Sequence, residues 1–349
     1  MRLEELVGQE QAVRVLVRAI ATARVPHAYL FEGPTGIGKR NAAIGLAMAL
    51  NCEQRSGAAG RDGDGDGGAA CGACDACRRI ASGLHPDVLT FAPDGPQIVM
   101  EQAQEMVALG QRRPHEGRAR VIIVDDADRL NANASNCLLK TLEEPSPGTH
   151  LVLVTAAPDR LLGTIRSRTQ RVRFRSVSVE TLLALGTRRG IAAEQSQVAA
   201  IVADGCVARF IELGTSTEDV GPRQATAALR QAARARGIGP ILDTASELGD
   251  KESKQRLPEA LALLARVYRD ALVEVVGAPE LAVLAVAAPG ANDDGGDPLA
   301  PPTDLSVAAL GRALSAIVEA DAALVGNVNA VMAVERLLLN LRREERAAA

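Results

Sequence analysis

The chain has 349 residues, a formal net charge of −4 and 47% hydrophobic residues, which is enough apolar material for two or three domains with buried cores. This near-balanced charge argues against a protein whose whole surface binds nucleic acid, although the basic stretches 111–120 and 166–175 are candidate contacts to a nucleic-acid backbone. With no Trp, two Tyr and four Phe, the composition excludes an aromatic platform for stacking single-stranded bases.

At the amino terminus we expect no secretory signal, because Arg2, Glu4 and Glu5 interrupt the stretch that would have to be apolar. Further along the chain, no apolar run approaches the length needed to cross a bilayer. We therefore expect a cytoplasmic protein without a membrane partner.

The next feature is a glycine-rich loop at residues 33–40, which read Gly-Pro-Thr-Gly-Ile-Gly-Lys-Arg. The apolar run 29–32 predicts a buried strand before the loop, and the composition of 41–50 predicts a helix after it. This order is typical of a phosphate-binding loop, because the unpaired N–H groups and the dipole of the helix amino terminus attract anions. The candidate phosphate contacts are Gly33, Gly36, Gly38 and Lys39.

The last position of this loop departs from the pattern G-x-x-x-x-G-K-[ST], in which a hydroxyl coordinates Mg²⁺. Arg40 stands there instead. A guanidinium has five donors, no acceptor and a fixed positive charge, so it cannot ligate a cation and repels Mg²⁺. The loop therefore indicates a nucleotide site that has lost its metal ligand. The sequence leaves ATP binding open, and a connection that binds nothing is the alternative.

A cluster of cysteines follows, with the metal-type spacing C-x2-C-x2-C. Four thiolates supply the tetrahedral set that Zn²⁺ prefers, and a cytosolic chain is a poor candidate for a disulfide framework. We favour Zn²⁺ over an Fe–S cluster, which is the alternative. Between the first and second cysteines, residues 53–70 are rich in Gly and Asp and predict a flexible insertion. The candidate ligands are Cys52, Cys71, Cys74 and Cys77, whereas Cys137 and Cys206 are interpreted as small buried residues.

A second buried strand is predicted at 121–124, and it ends in Asp125 and Asp126. Asp125 stands where a Walker B aspartate would help to hold Mg²⁺, and we expect the Arg40 guanidinium to lie toward it, partly substituting for that cation. Asp126 stands where many ATPases of this type carry a glutamate that polarises the attacking water, and its side chain is one methylene shorter. Two substitutions therefore argue against ATP hydrolysis, namely Arg40 in place of the metal-binding hydroxyl and Asp126 in place of the glutamate. The alternative is that the two acids only cap the following helix.

Motifs beyond this strand resemble the clamp-loader branch of the AAA+ family. Residues 138–145 read Leu-Leu-Lys-Thr-Leu-Glu-Glu-Pro, an apolar strand is predicted at 151–155, and residues 165–168 read Ile-Arg-Ser-Arg. Within that branch the chain most resembles the delta-prime subunits of bacterial DNA polymerase III. Arg40, Asp126 and the expected lack of a tau-like extension after residue 349 favour this group over the gamma/tau motor subunits.

The resemblance implies roles for particular residues. Arg168, in Ser-Arg-Thr where the family has Ser-Arg-Cys, matches the arginine finger that reaches the ATP of a neighbouring subunit. Thr155 matches a sensor position, or is a polar strand end that caps. Ala208 stands at a second sensor position, unless the alignment shifts by one residue to Arg209. The alternative for Arg168 is an ordinary basic edge of the surface.

The resemblance also implies a fold and a function. We expect an α/β AAA+ (P-loop) domain with a parallel sheet over 1–175, carrying the zinc module at 52–77. A small helical lid domain over 176–220 and an all-α collar domain over 221–349 should follow.

The implied protein is a non-hydrolysing subunit of a pentameric clamp loader, which loads the sliding clamp onto primed DNA. Its partners would be gamma/tau motor subunits and a delta subunit, with DNA contacted through its backbone. The alternative is an active AAA+ ATPase motor subunit, in which Lys39 and Asp125 still hold Mg·ATP.

Overall fold

The computed structural model describes residues 1–54, 70–215, 221–250, 256–282, 302, 304–325 and 329–346. Most of the predicted insertion at 53–70 therefore lies outside the described residues. The chain forms two compact units. The first comprises Met1–Val177 together with Cys206–Ala208, and the second comprises Ser178–Gly205 together with Arg209–Ala349.

The first unit is built on a parallel sheet of five strands in the order β2-β3-β4-β1-β5. The strands are β1 Ala28–Glu32, β2 Val88–Phe91, β3 Arg120–Val124, β4 Thr149–Thr155 and β5 Gln170–Arg173. All residues of β1 and β3 are buried, as expected of apolar strands that are covered on both faces. Because the strands are parallel, the carboxyl ends of β1, β3 and β4 lie at one edge of the sheet, where open α/β folds place their sites.

Helices cover both faces of this sheet. They are α1 Glu10–Ala21, α2 Lys39–Asn51, α3 Asp75–Ala81, α4 Met100–Gly110, α5 Ala132–Glu143 and α6 Gly163–Arg166, with short 3₁₀ turns at Leu3–Glu5, Ala127–Arg129 and Pro158–Arg160. Side chains alternate along β1, so that Tyr29 and Phe31 pack with α1 and α2 in one core while Leu30 packs with α4 and α5 in another. The predicted α/β domain with a parallel sheet is confirmed.

The second unit consists of helices in its described residues. They are α7 Val179–Arg189, α8 Ala193–Val202, α9 Val207–Thr215, α10 Gly221–Arg234, α11 Gly239–Gly249, α12 Leu257–Val276, α13 Val307–Val325 and α14 Ala330–Arg346, with a 3₁₀ turn at Pro279–Leu281. The first two residues of α9 belong to the first unit. Helices α10 to α14 share one apolar core around Leu264 and Tyr268. The predicted helical composition is therefore confirmed, and its division at residue 220 into lid and collar stays a prediction.

A buried carboxylate anchors the loop before β3. Asp87 is fully buried and accepts backbone N–H groups from His115, Glu116 and Gly117 at 2.7–2.9 Å. It also pairs with the buried Arg120 guanidinium at 2.7 Å. Burial by itself would raise the pKa of Asp87, but these donors outweigh it and hold that pKa below its usual range.

We expect Asp87→Asn to lower the free energy of unfolding by about 3 kcal/mol at neutral pH, because it leaves a buried guanidinium without its counter-charge. A carboxylate with a lowered pKa stabilises the fold above its unfolded-state pKa and loses this contribution as the pH falls further. The difference between wild type and variant should therefore narrow below about pH 4. Urea unfolding across pH measures both effects, with Asp94→Asn on the exposed surface as the control. Equal destabilisation by the two variants would contradict the stabilising role of the Asp87 carboxylate.

Candidate functional site

The glycine-rich loop connects β1 to α2, and its glycines are required by the packing of the chain itself. Gly33, Gly36 and Gly38 have φ of +146°, +74° and +100°, a region that favours glycine. A Cβ on Gly33 would lie 2.3 Å from the carbonyl oxygen of Phe174, and one on Gly36 would lie 2.2 Å from Cys206 Sγ. These glycines would therefore be needed even if the loop bound no phosphate.

Lys39 is buried at the start of α2, and its ammonium group is bonded within the loop. Its Nζ donates to the carbonyl oxygens of Gly33 at 2.6 Å and Pro34 at 2.5 Å. Burial lowers the pKa of Lys39, against the opposing effect of Asp125 and other nearby carboxylates. An incoming phosphate would have to replace these two carbonyl contacts.

Arg40 lies toward Asp125, as expected from the sequence. Its Nε is 3.6 Å from Asp125 Oδ2, at the end of β3 where the Walker B carboxylate would face a metal. Burial raises the pKa of Asp125, and the Arg40 charge works against that rise. The two residues therefore do not fit Mg²⁺, because a cation already compensates the carboxylate and no hydroxyl ligand is present at position 40.

Asp126 donates its backbone N–H to Asp125 Oδ1 at 3.2 Å, but its own side chain is not part of the Arg40–Asp125 pair. It has φ of 47°, its side chain is about half exposed, and its Oδ2 is 3.9 Å from Arg129 Nε. Its side chain makes no capping hydrogen bond to the following 3₁₀ turn, so the alternative role as a helix cap is not observed for Asp126. Its carboxylate is thus held at the surface by a long, weak ion pair.

Thr155, the predicted sensor residue, is buried at the end of β4. Its hydroxyl donates to Asp128 Oδ1 at 2.6 Å and accepts the N–H of Ala157 at 2.9 Å. Sequence reasoning missed Asp128, although its place three residues after Asp125 on the same strand-end loop was a usable signal. The hydroxyl is therefore already engaged by the protein.

The short segment Cys206–Ala208 packs on the glycine-rich loop and belongs to the first unit. The N–H of Ala208 donates to the carbonyl oxygen of Gly36 at 3.1 Å. Ala208 therefore contacts the loop through its backbone, and its assignment to the second sensor position stays a prediction. Cys206 is half-buried against Gly36, a position that its isolated place in the sequence did not indicate.

The four clustered cysteines converge on one point. Cys52 ends α2, Cys74 caps the amino terminus of α3, and Cys77 lies in its first turn. Their four sulfur atoms all lie within 4.8 Å of one another, with Cys52 and Cys74 at 4.0 Å. Tetrahedral Zn²⁺ with bonds of 2.3 Å needs sulfurs about 3.8 Å apart, so the residues fit a single ion. A multi-iron cluster would need a wider opening between the sulfurs.

Backbone N–H groups support the charged form of these thiols. Cys71 Sγ accepts the N–H groups of Ala73 at 3.4 Å and Cys74 at 3.2 Å, which lower the pKa of Cys71 to about 6. Burial instead raises the pKa values of Cys52 and Cys77. A bound cation would compensate the buried thiolates, and this donor set therefore suits a soft divalent metal.

Arg168, the predicted arginine finger, follows α6 on the surface of the first unit. Its Nη2 lies 2.8 Å from Glu143 Oε1, and its Nη1 donates to the carbonyl oxygen of Thr164 at 3.1 Å. Two other arginines of the basic stretch, Arg171 and Arg173, both pair with the buried Glu32. Four arginines of the stretch are thus paired with carboxylates, namely Arg166, Arg168, Arg171 and Arg173.

None of the helices in the described part of the chain combines the length and the apolar character needed to span a bilayer. Residues 8–178 match the protein family described as "DNA polymerase III, delta subunit". The chain is 37% identical over 174 residues to DNA polymerase III subunit delta' of Bacillus subtilis, covering 50% of each protein. It is 42% identical over 148 residues to subunit delta' of Pseudomonas aeruginosa, covering 42% of each.

A motor-type relative also matches. The chain is 33% identical over 178 residues to DNA polymerase III subunit tau of Salmonella typhimurium, covering 51% of this chain and 26% of that protein. The chain thus spans half or less of the length of these relatives. The family match at residues 8–178 lies in the first unit except for its last residue. The matched part of the chain, residues 8–178 with the glycine-rich loop and the Arg168 region, thus belongs to the family of DNA polymerase III delta and delta-prime subunits.

Proposed function

We propose that this protein is a non-hydrolysing delta-prime subunit of the DNA polymerase III clamp loader. In that role it joins gamma/tau motor subunits and a delta subunit in a pentameric assembly. The assembly acts in the cytoplasm, at the replisome, to place the sliding clamp on primed DNA. Any contact of this chain with DNA would be to the backbone, since it has few aromatic side chains for base stacking.

The observation that carries this proposal is the ion pair between Arg40 and Asp125. Phosphoryl transfer depends on a divalent ion that neutralises charge between the transferred and leaving phosphates. Here an arginine replaces one protein ligand of that ion and pairs with the other. Lys39 is also bonded to the loop's own carbonyl oxygens. The site therefore lacks the groups for turnover, and weak ATP binding without turnover remains compatible with it.

The chemistry of this subunit would lie at Arg168 instead. A guanidinium offers parallel N–H donors and a fixed charge to phosphate oxygens on which negative charge develops. Arg168 is about one-third exposed and so is accessible from outside the first unit. We propose that it acts in trans on the ATP of an adjoining motor subunit.

The remaining parts have structural roles in this proposal. Cys52, Cys71, Cys74 and Cys77 hold a structural Zn²⁺. Residues 176–220 form the lid domain, and residues 221–349 form the collar through which the subunits associate.

The second candidate function is that of an active motor subunit. The match to tau favours it, as do the retained Lys39 and Asp125. The two functions differ in what the isolated protein does with ATP.

We expect the isolated protein to hydrolyse no ATP above the buffer rate, because Arg40 removes the metal ligand and the side chain of Asp126 is one methylene shorter than the glutamate that polarises water. A phosphate-release assay on the purified chain measures this, with Lys39→Ala as the matched control that should show the same background. Turnover that disappears in Lys39→Ala would establish the motor alternative.

A further inference from the structure

We propose that Glu143 is the positioning residue of Arg168 and holds its guanidinium ready for the nucleotide of a neighbouring subunit. This inference rests on the role in trans proposed above. Glu143 is the last residue of α5, and Arg168 follows α6. The distance between Glu143 Oε1 and Arg168 Nη2 is 2.8 Å, although the two residues are 25 positions apart in the sequence.

Three contacts orient the guanidinium, two short and one long. Glu143 binds Nη2, the carbonyl oxygen of Thr164 accepts from Nη1 at 3.1 Å, and Ser167 Oγ lies 3.5 Å from Nη1. Because the guanidinium is planar, fixing both terminal nitrogens fixes the plane of the group. The contact to Thr164 is local to α6, so the contact to Glu143 is the one that ties Arg168 to a separate element.

Helix stability does not explain a carboxylate at position 143. The carboxyl end of a helix carries partial negative charge, and an acidic side chain in the last turn is unfavourable there. The adjoining Glu144 is also exposed, and it makes no ion pair with any described residue. The arginine is therefore the interaction that compensates the charge of Glu143 at this place.

This contact positions the finger without blocking it. Glu143, Thr164 and Ser167 use at most three of the five N–H groups that a guanidinium carries, which leaves donors for phosphate oxygens. Both side chains of the ion pair are more than one-third exposed, so the pair is weak and can open when a nucleotide approaches. Its effect is to restrict the rotamers of a long side chain before the neighbour binds, which reduces the entropy lost on binding.

The test uses the clamp loader reconstituted from the full chain with its motor and delta subunits, and it measures DNA-stimulated ATP hydrolysis. Glu143→Gln keeps the size of the side chain and removes its charge. We expect kcat at the adjoining motor site to fall by about three- to fivefold, the range for an exposed ion pair, and the rate of the whole complex to fall by less, because the other motor sites keep their own fingers. KM for ATP should be unchanged because the finger acts in the transition state. The matched control Glu144→Gln should leave kcat unaltered.

A double-mutant cycle separates positioning from a structural role. In an Arg168→Ala background, Glu143→Gln should have no further effect on kcat. A decrease that persists in that background, or wild-type kcat for Glu143→Gln alone, would overturn the positioning role while leaving the function of Arg168 intact. If Arg168→Ala itself has no effect, the proposed function fails and this inference fails with it.

Discussion

Replacement of Arg168 by alanine is expected to slow ATP hydrolysis at the adjoining motor site by on the order of 10³-fold, the lower range for an arginine supplied in trans. The physical reason is that the guanidinium stabilises charge that is present only in the transition state. The measured DNA-stimulated rate of the whole complex should fall less, because other motor sites in the ring keep their own fingers. The rate of clamp loading should fall with it.

The same substitution should leave folding, metal content and assembly unchanged. Arg168 is partly exposed, and its pair with Glu143 is of the surface kind that contributes at most about 1 kcal/mol to stability. A single arginine at a rim also contributes little to association beside helical contacts. Gel filtration of the complex and thermal unfolding of the isolated chain check that the loss of ATP hydrolysis does not result from misfolding or failed assembly.

Two matched variants make the result decisive. Arg166→Ala removes a neighbouring cation, one that pairs with Asp159 at 2.7 Å, and it should have little effect on the hydrolysis rate. Lys39→Ala, in the degenerate loop of this chain, should also have little effect. The reverse ranking, with Lys39 essential and Arg168 dispensable, would identify a motor subunit.

Local sequence patterns were sufficient to predict the elements that carry the site. The strand expected at 29–32 is Ala28–Glu32, the one expected at 121–124 is Arg120–Val124, and the helix expected at 41–50 is Lys39–Asn51. These segments are buried apolar runs bounded by glycine or aspartate, so their pattern depends on few long-range contacts. The ion pair of Arg40 with Asp125 was predictable for a related reason. Both residues stand at strand or helix ends on one edge of a parallel sheet, where opposite charges meet.

Contacts between distant segments were not predictable in this way. The packing of Cys206 on Gly36 joins residues that are 170 positions apart, and no local pattern marks either of them as a partner. The bond from Thr155 to Asp128 and the pair of Arg168 with Glu143 depend on how two loops or helices approach each other. A motif shows the type of side chain that a site needs, whereas the identity of its supporting residue follows from tertiary packing.

Removal of the proposed zinc ion is expected to have the second large effect. Cys77→Ser should reduce the zinc content from one ion per chain to none and lower the free energy of unfolding of the first unit by several kcal/mol. Metal binding contributes about 10 kcal/mol or more to the folding of zinc-finger peptides. The effect here should be smaller, because Cys52, Cys74 and Cys77 also pack in the apolar core beneath α2.

The ion would join two elements of that core, since Cys52 ends α2 while Cys74 and Cys77 begin α3. A chelator should therefore lower the thermal midpoint of wild type and leave that of Cys77→Ser unchanged. Elemental analysis with thermal unfolding measures both, and Cys137→Ser, at a half-buried cysteine outside the cluster, is the matched control.

Because thiolates must form for the metal to bind, zinc affinity should also weaken as the pH falls. Iron with a visible absorption band would show a cluster instead, and fresh reduced protein without metal would show that the four sulfurs are held together by packing alone.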